Sequence, residues 1–201
     1  SLFEATVRAT PDAVAVLHDE GSLSYARLDA WSNAIGTYLR QVHDVRPGSR
    51  VGHCMGRSPA MLACLLGIMK AGGAYVALDA AQPDDRLRYM IEDSGATVVL
   101  SDTAMLPRLQ GSVPVVDASA LGEDRDDATR PTDAVTADDT SYVIYTSGST
   151  GWPKGTLNAH RGVCNRIRAM QAQFGLAPDD RVMHKTPLGF DVSVWEMFWP
   201  W

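Results

Sequence analysis

The sequence predicts an α/β fold in which parallel strands alternate with helices, and three observations carry that prediction. Short runs rich in β-branched and apolar residues recur at residues 50–55, 74–78, 96–100 and 142–145. Stretches with apolar residues at helical spacing separate the earlier runs, each bounded by Ser-Pro, Pro or Gly. The resulting strand–helix–strand alternation is the pattern of a parallel sheet with right-handed crossovers.

The elements follow in order. Residues 2–9 read as a short helix, broken by Pro11, with a strand over 13–17. Gly21-Ser22 turns into Leu23-Ser24-Tyr25 and a long amphipathic helix, whose Leu28, Trp31, Ile35, Tyr38 and Leu39 keep one face apolar. That spacing places Trp31 in the core. Pro47-Gly48 closes the unit before the strand at 50–55. Ser58-Pro59 is an N-cap followed by proline at the first helical position, and Lys70 with Gly72 marks the far end. After the strand at 74–78, Pro83-Asp84-Asp85 opens a helix carrying Leu87, Met90 and Ile91, which Gly95 stops before the strand at 96–100. A further short strand is expected at 113–116. Residues 122–139 turn acidic and small, the composition of a solvated connection. Beyond residue 142 come a strand, a glycine-rich loop, a helix over 160–174 with Arg161, Arg166 and Arg168 on its polar face, and a strand candidate at 181–186.

Composition narrows the functional classes. A chain of 201 residues with 45% apolar content can bury a sizeable core, as one large domain or two small ones. Its net charge of −6 argues against nucleic-acid or anionic-membrane partners. Three cysteines without a C-x-x-C pair, and five scattered histidines, suit a reducing cytoplasm and suggest no metal site. The start lacks a basic-then-apolar leader, and the longest apolar run, 61–69, is too short to span a bilayer.

The stretch that carries chemistry is YVIYTSGSTGWPKG, residues 142–155. A buried-strand sequence runs straight into Thr146, Ser147, Gly148, Ser149, Thr150 and Gly151, followed by Lys154. Glycines let backbone N–H groups approach a ligand, hydroxyls add donors, and lysine adds a mobile charge suited to phosphate. The order differs from a Walker A loop, which needs a hydroxyl residue directly after the lysine; here Gly155 follows Lys154. Taken alone, such a cluster is more often a flexible surface connection than a site. Near the end, GFDVSVWEMFWPW holds a conspicuous acid, Asp191, before an apolar helical run, the usual position of an N-cap.

Together these stretches resemble the adenylate-forming superfamily, and within it the adenylation domains of nonribosomal peptide synthetases. YTSGSTGWPKG resembles the family's phosphate loop. LSYARLD, LACLLGIMKAGGAYVALD, DDRLRYMIEDSGATVVLSD and FDVSVWEMFWP resemble further motifs in the family's order, from about Leu2 to the last residue. Ala77 and Ala80 stand where the family often has proline, and Trp152 fills a variable loop position.

The resemblance implies the large N-terminal domain of that fold, with mixed and parallel sheets flanked by helices. Residues 1–201 would form an incomplete portion of it, cut inside the substrate pocket, with the family's magnesium ligand, ribose-binding aspartate, hinge and C-terminal lysine lying beyond. It implies an amino acid and ATP as substrates, with Mg²⁺, and an aminoacyl adenylate as product. The adenylate would pass to phosphopantetheine on a peptidyl carrier domain beside a condensation domain. Thr146 to Gly151 would wrap the phosphates and Lys154 would neutralise them; Asp191 would pair with the substrate ammonium. Phe190, Val192 and Trp195 would border the substrate, and His160 would support the loop; Cys164 and His184 are read as core. A pocket beginning with Asp191 and Trp195 resembles those of serine-activating domains. An acyl- or aryl-CoA ligase with the same loop, and a non-catalytic nucleotide-binding fragment, are the alternatives, and the isolated 201-residue chain is itself expected to turn nothing over. For the isolated fragment, exposed apolar residues at 194–201 would favour aggregation.

Overall fold

Period-two alternation along the β-branched runs generates a sheet apolar on both faces, and helices cover each of them. The computed structural model describes residues 1–122, 135–147 and 151–201. Helix α1 (Leu2–Ala9) is opened by a capping box between Ser1 and Glu4. Strands β1 (Val14–His18) and β2 (Gly21–Ser24) pair antiparallel as a small ribbon of their own. Helix α2 (Tyr25–His43) follows, with Ser24 accepting the Arg27 amide at its N-cap.

The main sheet is then laid down by β3 (Arg50–Cys54), β4 (Ala74–Ala77), β5 (Val98–Ser101) and β6 (Val115–Asp117). Between them run α3 (Pro59–Lys70), α4 (Asp84–Ser94) and the short α5 (Leu106–Leu109). Strand β7 (Thr140–Thr146) joins beside β4, and β8 (Lys154–Ala159) closes the edge. The spatial order is β6-β5-β3-β4-β7-β8, parallel throughout except for the antiparallel pair β7–β8. Helices α6 (His160–Phe174) and α7 (Val192–Phe198) complete the chain.

Two cores result, one on each face. Tyr75 and Ala77 of β4, with Tyr142 and Ile144 of β7, pack with α2 and α3. The intervening Val76, Val143 and Tyr145 pack with Leu87, Met90 and Ile91 of α4. Trp31 is buried as its spacing predicts, and its indole Nε1 donates to the Leu121 carbonyl at 2.7 Å. Lys70 does more than complement a helix dipole. Its ammonium lies almost buried and donates to Asp29 Oδ1 at 2.6 Å, Ser32 Oγ at 2.7 Å and Asn33 Oδ1 at 2.8 Å, fastening α3 to α2.

The structure corrects four expectations. No strand forms over 181–186; the segment is irregular, and the Lys185 and Thr186 amides donate to a side chain instead of a ladder. The chain leaving the glycine-rich loop builds β8 before reaching α6, an antiparallel strand absent from the purely parallel pattern. The apolar residues at 194–201 do not form an exposed edge. Val194 and Met197 are buried, and Trp201 packs on Phe3 with ring centroids 5.6 Å apart. The Thr6 and Tyr25 hydroxyls and the Trp201 indole further join this end to the N-terminal elements. Cys164 and His184, expected in the core, are half-buried. Of the acidic connection at 122–139, residues 123–134 lie outside the described residues.

Candidate functional site

β7 places the phosphate-loop sequence at the carboxyl edge of the parallel strands, where open α/β sheets bind their ligands. It is buried from Ser141 to Tyr145 and emerges at Thr146 and Ser147, both exposed. Thr146 is the register partner of Lys154, so the two shoulders of the loop stand opposite each other at the mouth of the β7–β8 hairpin. Gly151 takes φ +89°, a left-handed conformation suited to glycine. Pro153 is buried, whereas the Lys154 side chain is exposed. Gly148, Ser149 and Thr150, assigned by resemblance to the phosphates, lie outside the described residues.

Asp191 sits at the N-cap of α7 but departs from the usual cap. Its backbone is αR, at φ −62° and ψ −23°, and its carboxylate accepts no cap hydrogen bond. The side chain is therefore not consumed by the helix. Tyr142, on the α7-facing side of β7, senses it: burial raises the Tyr142 phenol pKa first, and the Asp191 charge raises it further. Phe190 is 61% exposed and Val192 39% exposed, flanking the carboxylate. Trp195, half-buried, meets Trp199 edge-on at 6.1 Å.

The residue that builds this corner is Glu196, to which the sequence reasoning assigned no role. Its buried carboxylate accepts the Lys185 amide at 3.0 Å, the Thr186 amide at 2.8 Å and the Thr186 hydroxyl at 2.7 Å. Burial works to raise its pKa, but the Thr186 and Lys185 donors and the nearby His184 bring the net shift below the ordinary value. The available signal was an acid set between Trp195 and Met197 in an otherwise apolar helical run. Arg57 also reaches this segment, its guanidinium donating to the Lys185 carbonyl. His184 is held below its usual pKa by burial and then by Arg57.

His160 follows β8 directly, and its amide donates to the Asp139 carbonyl at 3.0 Å. Its Nε2 is buried without a hydrogen-bond partner among the described residues, and burial lowers its pKa against the opposing Asp139 charge. Two clefts of about 710 and 630 Å³ adjoin these residues, the first lined in part by Arg57, His184 and Glu196 and the second by His160, and neither is lined by Lys154 or Asp191. Among the described residues no group of three or more His, Cys, Asp or Glu side chains converges on a possible cation site. No helix among them is long and apolar enough to cross a membrane.

Fold and site together define an α/β protein that carries a hydroxyl- and glycine-rich sequence, followed by an exposed lysine, at the carboxyl edge of its parallel strands. The AMP-binding enzyme profile matches residues 3–201, and the chain belongs to that family. Its relatives include tyrocidine synthase 3 of Brevibacillus parabrevis, 40% identical over 99% of this chain and 3% of that protein. Zwittermicin A synthase ZmaJ of Bacillus cereus is 42% identical over 98% of this chain and 38% of its own length. The crystal structure of the nonribosomal peptide synthetase FmoA3 in its AMPPNP-bound form matches 98% of this chain and 21% of its own, with a TM-score of 0.90 and 37% identity. The NpsA N-terminal subdomain of Klebsiella oxytoca, in complex with 3-hydroxybenzoyl-AMSN, matches 98% of this chain and 50% of its own, with a TM-score of 0.88 and 26% identity. This chain thus spans well under half the length of these curated relatives. The resemblance to nonribosomal peptide synthetase adenylation domains, and the α/β fold expected from it, are borne out.

Proposed function

We propose that this chain forms the phosphate-binding and ammonium-binding part of an amino-acid-activating adenylation domain. The observation that carries the reading is the relation of Asp191 to β7. A carboxylate left uncommitted by its helix lies close enough to Tyr142 to shift it, while the same strand delivers Thr146 and Ser147 to the phosphate loop. Four residues at about 3.3 Å each separate Tyr142 from Thr146 by about 13 Å. That leaves room for an amino acid and a triphosphate laid end to end.

In this reading Asp191 pairs with the substrate ammonium and holds the amino acid by its α-carbon, with Phe190, Val192 and Trp195 along the side chain. One oxygen of the substrate carboxylate attacks the α-phosphorus of ATP. The bond from that phosphorus to the bridging oxygen of the β-phosphate breaks, and pyrophosphate leaves. Phosphoryl substitution asks the protein for alignment and charge neutralisation. The loop residues and Lys154 supply both to the β- and γ-phosphates. Mg²⁺, which the family resemblance implies, would supply the remaining charge neutralisation on the triphosphate. The adenylate then passes to the phosphopantetheine thiol of a carrier domain, as expected of a component of a peptide assembly line.

The test is amino-acid-dependent ATP–pyrophosphate exchange by the full-length protein containing this chain, with simple carboxylic acids as controls. Exchange driven by one amino acid supports the reading and identifies the substrate. Exchange driven only by acids lacking the amine removes Asp191 from its role and favours an acyl- or aryl-CoA ligase. Absence of exchange from folded protein leaves nucleotide binding without turnover.

A further inference from the structure

Both shoulders of the phosphate loop are tied to a single helix, α4, through residues to which the proposed chemistry gives no part. On the entering side, the Tyr145 hydroxyl donates to Asp93 Oδ2 at 2.7 Å and to the Met90 carbonyl at 3.3 Å. On the leaving side, the Trp152 indole packs on the Tyr89 ring with centroids 4.7 Å apart and planes inclined by 35°. Asp93 joins the two shoulders, because the Tyr89 hydroxyl donates to its other oxygen, Oδ1, at 3.4 Å. Burial and then its bonds to Asp93 raise the Tyr145 pKa, keeping the hydroxyl a donor. Gly155 seals the arrangement from below. A Cβ there would come within 3.1 Å of Tyr145 Cζ and 3.2 Å of Val143 Cγ1, so the returning strand lies flat on the tyrosine ring because residue 155 has no side chain.

An exposed tryptophan is often no more than surface. Trp152 is 56% exposed, yet the ring contact is made with a residue that shares a carboxylate with the opposite shoulder of the same loop. The contact also falls two residues before Lys154, so whatever fixes Trp152 fixes the start of the strand that carries the lysine.

We propose that Tyr89, Asp93, Tyr145 and Trp152 form a positioning clamp that holds the exit of the phosphate loop, and Lys154 with it, in register for the polyphosphate of ATP. The four act as positioning residues, fixing Trp152 and the start of β8 before nucleotide binds, so that less ordering is required at that step. The clamp rests on the adenylation reading above and deepens it.

The experiment is the ATP dependence of pyrophosphate exchange by the full-length protein and its Trp152→Ala, Trp152→Phe, Tyr89→Ala and Tyr89→Ala/Trp152→Ala variants. An aromatic pair of this kind corresponds to about a 3- to 10-fold effect. Trp152→Ala and Tyr89→Ala should each raise the KM for ATP by about that factor, with kcat changed less than about twofold. Trp152→Phe should restore the wild-type KM, and the double variant should be no worse than either single one. A residue that merely stabilises the fold would lower the amount of active enzyme and hence the apparent kcat, leaving KM in place. KM values within twofold of wild type in both single alanine variants, or strictly additive effects in the double variant, overturn the clamp while exchange by the wild type upholds the adenylation reading. Absence of exchange in the wild type overturns both.

Discussion

The β7–β8 hairpin and the segment delivering Asp191 belong to one candidate site, but they are held in different ways. In the hairpin, paired backbone runs from Thr140–Ala159 to Thr146–Lys154, and β4 supports β7 from the other side. Side chains add to this ladder where the Tyr145 ring lies against Gly155 and its hydroxyl bonds Asp93, and where Trp152 packs on Tyr89. The segment before Asp191 has no ladder. Its course depends on the Glu196 carboxylate, on Arg57 and on Leu188 inserted into the core. The difference matches what each end would recognise. A triphosphate is the same in every reaction cycle and suits a backbone cradle whose geometry a strand pair enforces. An amino-acid side chain differs from enzyme to enzyme, and a segment held by a few side chains can be re-shaped by a few substitutions.

The sharpest way to break this comparison is to disable one end and read the other. Asp191→Asn removes one partner of the proposed carboxylate–ammonium pair. Truncation of such pairs costs about 2–5 kcal/mol, so the amino-acid KM should rise by roughly 30-fold or more while the ATP KM stays within about twofold. Lys154→Ala should do the reverse, raising the ATP KM about tenfold and lowering kcat, with the amino-acid KM little changed. Steady-state exchange with each substrate varied in turn measures all four quantities. Two substitutions that shift the same KM would mean that the two ends are not separate.

This contrast also marks what was legible in the sequence. β3, β4, β5 and β7 were readable because each is a buried run with clear punctuation, and Ser58-Pro59 and Gly95 mark their helix ends as predicted. The loop sequence stood out because its strand, glycines, hydroxyls and lysine are contiguous, and the structure bears out the strand, β7, that leads into it. β8 escaped because KGTLNA lacks a β-branched apolar run; it is a strand by virtue of pairing with β7. Residues 181–186 misled in the opposite sense. Their alternation suits a strand, but the amides of Lys185 and Thr186 find a carboxylate ten and eleven residues on, and local pattern does not encode that. Asp93 was hidden likewise, as one acid among several on α4, distinguished only by its tertiary contact with Tyr145.

A second, smaller perturbation asks whether Glu196 is the support that the geometry indicates. Glu196→Gln keeps the shape but replaces charge-assisted bonds with neutral ones and turns an amide group toward donors. The loss of about 1–2 kcal/mol should increase local opening about tenfold at the Lys185 and Thr186 amides. Hydrogen exchange in the full-length protein reads this directly, with the Val143 amide in the sheet as the internal reference. Equal increases at all three positions would make Glu196 a support of the whole fold instead of this segment.

The smallest expected effect is a pH dependence that should separate the two regions without altering the loop. His184 has a folded pKa below its ordinary 6.5, so the opened segment binds more protons than the closed one. Its stabilising contribution is complete above pH 6.5 and is lost as pH falls through the folded value. Glu196 is also depressed, from 4.5, so its contribution persists to lower pH and fades only below that range. Between pH 6.5 and about 4.5, then, the change in local opening at residues 185 and 186 comes from His184, and a rise is expected after correction for intrinsic exchange rates. The sheet responds through another group. His53, wholly buried in β3, is pushed by burial to about 4, so its contribution to global stability declines from pH 6.5 down to that value and is sensed at Val143. His184→Gln should therefore flatten the slope at 185 and 186 while leaving most of the slope at Val143. If the slope at 185 and 186 survives that substitution, the segment opens only with the whole domain, and the distinction between a ladder-held loop and a side-chain-held pocket disappears.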